Sequence, residues 1–150
     1  MLDGVQDPGN VGTIWRTADA FETDGLLLTN ACADPFGWKT IRATMGAAFR
    51  MPVWEVTPEQ LATLTTQSGL PLLATALRAD TVPLQAVHAP RTAVVIGSEG
   101  NGVSETVLRL CRETVCIPMN PRCESLNAAA AAAVVLWEMY RDRCSGTEEE

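Results

Sequence analysis

The stretch TAVVIGSEGNGVS, residues 92–104, sets three glycines, Gly97, Gly100 and Gly102, between a β-branched apolar run and a helix-like segment. Strand, glycine loop and helix in that order usually hold a phosphate against backbone N–H groups. This loop has Glu99 at its centre and neither lysine nor arginine, so its only charge repels the ligand the pattern usually serves. Two further polar clusters lie elsewhere. DPGNVGTIWRTADAF, residues 7–21, has a Pro8-Gly9 turn, Asn10 where a helix could be capped, and Arg16 within that helix. IPMNPRCESLN, residues 117–127, ends in Ser125 and Asn127, either of which could cap the helix that follows. Each cluster also has a plain structural reading: a cap, a solvated arginine, a strand-to-helix turn.

Those clusters need elements to position them. Apolar runs at 25–29, 51–56, 70–76, 93–96 and 114–117 read as strands. Helices are expected at 10–21, where Val11, Ile14, Trp15 and Ala18 share a face, and at 39–49 and 104–111. Another starts at Thr57-Pro58-Glu59, with a cap residue and a proline in the first turn. Strands that alternate with helices, several of them solid apolar runs, predict an α/β fold: a mostly parallel sheet covered on both faces. Ligands of such sheets sit beyond the carboxyl ends of the strands, so the loops after Ile96 and Ile117 are the first candidates. The last helix, 126–143, is apolar at every position from Ala128 to Trp137. A helix without a polar face needs cover on more than one side, which predicts a homodimer through it.

Composition narrows the function classes. The chain has 150 residues, 47% of them hydrophobic and 19% charged, as expected of one globular domain. No apolar run approaches the ~20 residues of a membrane span, and MLDGVQDPGN lacks the basic start of a signal peptide, so cytoplasm is expected. The five cysteines show no CxxC pair and the one histidine, His88, has no companion, so neither a metal nor a disulfide framework is expected. The net charge of −7 argues against a grip on nucleic acid over the whole surface, although ten of the eleven basic residues are arginine, which suits forked phosphate contacts locally. Residues 1–144 are read as the working domain and 145–150 as an acidic, disordered tail.

Taken together, the motifs resemble the SpoU (TrmH) family of RNA 2′-O-ribose methyltransferases, a branch of the SPOUT superfamily. Its three motifs are similar to DPGNVGTIWRTADAF, GSEGNGVS and IPMNPRCESLNAAAAAA, in that order, and RATMGAAFRMPV at 42–53 also looks like the family. The resemblance covers the chain from Leu2 to about Tyr140. It implies S-adenosylmethionine as cofactor, whose positive sulfonium would be repelled by a lysine in the glycine loop. It implies that Thr75, Ala76, Ile96, Gly97, Gly102, Ile117, Met119, Ser125 and Leu126 wrap that cofactor, the glycines letting backbone approach it closely. Asn10, Arg16, Glu99, Ser125 and Asn127 become the catalytic set, with Arg16 and Arg42 facing an rRNA or tRNA substrate. The resemblance also implies a C-terminal trefoil knot, which general chain topology disfavours.

Arginine keeps its proton to beyond about pH 12, so Arg16 is expected to clamp a phosphate or hydroxyl rather than to act as a base. The chain departs from the family at Ser98, where asparagine is common, and at Thr44, where serine is common. Only Met1 and Leu2 precede Asp3, so the first strand is very short or the chain is a fragment. Two rivals are weighed. A Rossmann-type oxidoreductase fails because the loop lacks GxGxxG spacing and carries its acid within the loop instead of about 20 residues downstream. A non-catalytic RNA-binding module that keeps the fold is the alternative, opposed by the joint presence of all five polar residues.

Overall fold

The solid apolar runs become neighbours in one sheet. The computed structural model describes residues 1–87, 91–123 and 125–145; His88 and most of the acidic tail lie outside them. Among the described residues seven strands are formed: β1 (Leu2–Asp3), β2 (Leu26–Thr29), β3 (Val53–Val56), β4 (Leu72–Thr75), β5 (Val82–Pro83), β6 (Ala93–Gly97) and β7 (Glu113–Cys116). Their order is β3-β2-β1-β6-β4-β7-β5, and every pairing between them is parallel. β1 spans two residues and is extended by Met1, whose carbonyl accepts from the Ile96 N–H at 2.9 Å. β5 was not expected from the sequence. Its proline is tolerated because the strand lies at the sheet edge, where one side needs no donors.

Among the described residues five helices are formed: α1 (Pro8–Ala20), α2 (Trp38–Ala43), α3 (Pro58–Ser68), α4 (Glu105–Leu108) and α5 (Ala128–Ser145). Four of them lie on the two faces of the sheet, and α2 rests on α1. Alternation along the strands decides which helix each side chain meets. Leu72 and Ala74 of β4 and Val95 of β6 pack with Leu61 of α3 and Val107 of α4. The intervening Leu73, Val94 and Ile96 point to the other face, into a core with Val11, Ile14, Trp15 and Ala18 of α1 and Ala128, Ala132 and Val135 of α5. Trp15 is buried without a stranded polar group, since its indole N–H donates to the Met51 carbonyl at 3.0 Å.

Two helices are shorter than the periodicity predicts. The expected 39–49 helix stops after Ala43: Met45 and Gly46 turn into the left-handed region, with φ of 49° and 91°, and a 3-10 turn, Ala47–Phe49, follows. The expected 104–111 helix is only α4, with Ser104 as its cap. α3 begins as read, with Thr57 and Gln60 forming a reciprocal capping box ahead of the helix.

α1 and α5 run parallel and are tied at both ends. Asn127, just before α5, donates to Asn10 near the start of α1, while the Arg143 guanidinium donates to the carbonyls of Phe21 and Glu22 at its end. That cation meets the negative end of α1. The all-round burial expected of α5 is not reached in the single chain, because Val134 and Trp137 are 42% and 50% exposed. Among the described residues no helix is long and apolar enough to cross a membrane.

Candidate functional site

Parallel pairing puts the carboxyl ends of all the strands along one edge of the sheet. β1 and β6 are adjacent, so the turn leading into α1 and the glycine loop at 97–103 leave the sheet side by side. β4 and β7 follow β6 in the sheet, which adds Thr75 and the 117–127 segment to the same edge. The chain thereby gathers at one place residues that are 89 and 117 positions apart.

At that place three side chains form a hydrogen-bond chain whose polarity is set from one end. The Asn127 Oδ1 accepts from the N–H groups of Ala129 and Ala130, at 2.9 and 3.2 Å, and so caps α5. Its Nδ2 must then face the other way, and it donates to Asn10 Oδ1 at 3.2 Å. That leaves the Asn10 Nδ2 to donate to Glu99 Oε1, at 2.5 Å. Helix capping in one segment thus orients an amide in a second and a carboxylate in a third.

Asn10 is not the cap of α1. Asp7 takes that place, accepting from the Asn10 N–H at 2.7 Å, and this releases the Asn10 side chain for the bridge to Glu99. The sequence carried the signal, since Asp7 precedes a proline at the first helical position. Of the two cap candidates before α5, Asn127 is the one used. Ser125 is exposed two residues upstream and makes no hydrogen bond to another described residue.

The glycines also need a correction. A Cβ at Gly97 would come within 2.1 Å of the Gly102 carbonyl carbon and 2.3 Å of the Val103 nitrogen, because Ser98 and Gly102 pair back-to-back across the loop. Gly102 itself has φ +65°. The glycines at 97 and 102 are therefore required by the closure of the loop on itself, independently of any ligand. The base of the loop is held by a residue that sequence reasoning missed. Asp3 is buried, accepting from Thr29 Oγ1 at 3.0 Å and from the Ser104 N–H at 2.7 Å. Nothing in a two-residue strand marks such a carboxylate beforehand. Burial, with the Asp3 charge as second cause, pushes the nearby Cys111 thiol up to about 11.

The other expected residues fall into three groups. Thr75, Ala76, Ile96, Gly97, Gly102, Ile117, Met119 and Leu126 line the strand ends and loops of that edge, but Thr75 and Ala76 are already engaged. Thr75 Oγ1 donates to the Val95 carbonyl and the Ala76 N–H to that of Val115. Leu126 is 36% exposed, and Ile117 and Met119 are half-buried. Arg16 stands on the exposed side of α1, six residues and about 9 Å along the axis from Asn10, with no ion pair among the described residues. It is not part of the hydrogen-bonded chain. Arg42 is exposed on α2.

Residues 1–137 match the SpoU rRNA Methylase family. The chain belongs to that family. A Synechocystis protein described as an uncharacterized tRNA/rRNA methyltransferase is 40% identical over 145 residues, covering 95% of this chain and 53% of the relative. The 23S rRNA (guanosine(2553)-2′-O)-methyltransferase RlmP of Bacillus subtilis is 34% identical over 140 residues, covering 93% of this chain and 56% of its own length. Among solved structures, the SpoU methyltransferase AviRb from Streptomyces viridochromogenes, crystallised with the cofactor AdoMet, superposes with a TM-score of 0.90 at 33% identity. That match covers 97% of this chain and 60% of AviRb. This SpoU-family chain therefore spans about half the length of the curated relatives it matches.

Proposed function

We propose that residues 1–144 are the catalytic domain of an S-adenosylmethionine-dependent RNA methyltransferase, acting in the cytoplasm on a ribose 2′-hydroxyl of rRNA or tRNA. The observation that carries this reading is the Asn127–Asn10–Glu99 hydrogen-bond chain, which joins the three polar clusters at one edge of the sheet. The cofactor would be held by Thr75, Ala76, Ile96, Gly97, Gly102, Ile117, Met119, Ser125 and Leu126. The donor set fits it: none of the nine is charged, three are partly exposed apolar side chains, and the rest offer backbone or hydroxyl groups. When bound, S-adenosylmethionine supplies a methyl group on a positive sulfonium.

The protein's own share is positioning. Asn10, itself oriented by Asn127, holds the Glu99 carboxylate by one oxygen, which leaves Oε2 to accept from a polar group of the substrate. Ser125, unengaged among the described residues, is available to a donor or acceptor of either ligand. Arg16 clamps a phosphate or the reacting hydroxyl of the RNA with its forked donors, with Arg42 contributing a second contact. Because Arg16 lies away from Asn10 in one chain, we assign it to the site of a homodimer, where Arg16 of the partner subunit faces Glu99. The exposed Val134 and Trp137 of α5 support that contact. A C-terminal knot belongs to the same reading. It is supported by the path from β7, beyond β4 and β6, back to α5 against α1.

The test is to incubate the purified chain with labelled S-adenosylmethionine and separate pools of rRNA and tRNA, then to map 2′-O-methyl riboses. Arg16→Ala is expected to abolish methylation, by a factor of about 100 or more, with cofactor affinity nearly intact by calorimetry. Loss of cofactor affinity in that variant would refute the assignment of Arg16 to the RNA. Glu99→Gln is expected to impair turnover partly and Glu99→Ala severely. RNA bound by the wild type without any methyl transfer would support the non-catalytic alternative.

A further inference from the structure

The segment between β2 and β3 tucks Met51 and Ile41 into the core but keeps four other large apolar side chains on the outside. Phe36, Trp38, Met45 and Phe49 are 67%, 68%, 69% and 89% exposed. They are not loosely held. Pro35 is buried, and the Asp34 carboxylate accepts from the Phe36 N–H at 2.8 Å. Thr40 and Thr44 are buried on the opposite side of α2, with Thr40 Oγ1 donating to the Asp34 carbonyl and Thr44 Oγ1 to that of Ile41. α2 rests directly on α1 at Gly12, where a Cβ would stand only 2.4 Å from the Thr40 carbonyl oxygen. Met45 is held outward at φ 49°, a conformation that a non-glycine residue rarely adopts.

Charge says what such a surface faces. Lys39, the only lysine in the chain, and Arg42 stand exposed among these rings, and the Lys39 ammonium lies 5.7 Å from the Trp38 ring centre. Arg50 is paired with Asp19 at 2.6 Å, and the Asp34 carboxylate is occupied by the Phe36 N–H. A protein of net charge −7 thus presents two cations with no ion pair among the described residues, beside exposed aromatic rings on the helix that crosses α1 two residues beyond Asn10.

We propose that Phe36, Trp38, Met45 and Phe49, with Lys39 and Arg42, form a stacking platform for unpaired RNA bases next to the target ribose. The inference rests on the methyltransferase reading for the word target, and it makes that reading specific: the substrate is a single-stranded loop, not a duplex. Unpaired bases expose π-faces that stack on aromatic side chains, while cations track the phosphates; a duplex hides those faces. A protein partner is disfavoured, since two cations within the apolar face would have to be desolvated.

The experiment measures tryptophan fluorescence and binding of the whole chain with a short unpaired oligoribonucleotide and with the same strand annealed to its complement. The unpaired strand should quench the emission and bind more tightly than the duplex. Trp38→Ala should weaken its binding about tenfold, as expected for one lost stacking contact, whereas Trp38→Phe, which keeps a ring, should restore it. Removal of Lys39 and Arg42 should lower the salt dependence of binding by about 0.7 per charge. In methylation assays Trp38→Ala should raise KM for RNA and leave kcat and cofactor affinity unchanged. Equal binding of unpaired and duplex RNA, or unchanged binding in Trp38→Ala, overturns the platform. So does a change of oligomeric mass in Trp38→Ala without a change in RNA binding, which would give the face to a second copy. Absence of methyl transfer by the wild type would instead sink the methyltransferase reading, because the oligonucleotide titration reads the platform without it.

Discussion

α1 and α5 start at the same place, run in the same direction and are fastened together at both ends, yet they use their residues in opposite ways. α1 has one buried face, Val11, Ile14, Trp15 and Ala18, and an exposed side with Thr13, Arg16 and Ala20. Its pattern is accounted for within one chain. α5 buries Ala128, Ala132 and Val135 in the same core but carries apolar residues outward as well, at Ala130, Val134 and Trp137. Amphipathic patterning reports contacts that the chain makes with itself. Where a helix is apolar on the side it shows to solvent, the pattern reports something beyond the single chain.

The comparison is sharpened most by changing small residues on the two helices. Gly12 has no room: a Cβ there would meet the Thr40 carbonyl oxygen at 2.4 Å and the Ala43 Cβ at 2.6 Å. Gly12→Val should therefore destabilise the fold by about 3 kcal/mol through overpacking. Ala130→Val, on the exposed side of α5, should change stability by no more than about 0.5 kcal/mol. Urea denaturation of both variants measures the contrast, and equal losses would mean that the two helices are not used differently. Next in size is the shared end. Asn127→Ala removes the cap of α5 and should cost about 1 kcal/mol. Asn127→Ser should recover most of that stability, since serine also caps, but not methylation, because the donor to Asn10 is gone. Recovery of both by serine would reduce Asn127 to a cap.

Much of this was legible beforehand, and the reasons differ by element. The strands from 26 to 116 announce themselves because a parallel sheet covered on both faces requires solid apolar runs, and β4 and β6 have them. β5 could not be seen, since two residues with a proline carry no periodicity. The truncation of α2 turns on Gly46, whose left-handed turn overrides a helical pattern on either side of it. In the site, the polar residues were visible as types, but not their mutual bonding. Asn10 and Asn127 are each plausible caps in isolation; the Asp7-Pro8 pair releases Asn10 from that task, but only the packing of α1 beside α5 brings the two side chains into contact. Asp3 was invisible because its partners, Thr29 and Ser104, meet it through sheet order and not through spacing.

A smaller effect is expected at the far end of the helix pair. Arg143→Ala removes the donors to the Phe21 and Glu22 carbonyls and should lower stability by about 1 kcal/mol. Thermal melts at low and high salt check this, because a cation at a helix end that is only half-buried is still partly screened by ions. An unchanged melting temperature would leave the parallel pair held by its apolar contacts and the Asn127–Asn10 bond.

The smallest effect on folding, and the most informative, is expected at Val134. It is 42% exposed and takes no part in the contacts among Phe21, Trp137 and Tyr140, so Val134→Glu removes little packing from the single chain. Glutamate is also the better helix former, offset by a few tenths of a kcal/mol from Glu138 one turn on. Monomer stability should move by less than about 0.5 kcal/mol. A charge on that face would, however, have to be buried without a partner if α5 meets α5 of a second copy, and such burial costs several kcal/mol. Sedimentation should then show the mass falling to that of one chain, with methylation lost and the circular dichroism of the fold retained. If the variant instead unfolds at the protein concentration where the wild type is a monomer, the outer side of α5 is packed within its own chain, and the contrast with α1 is false.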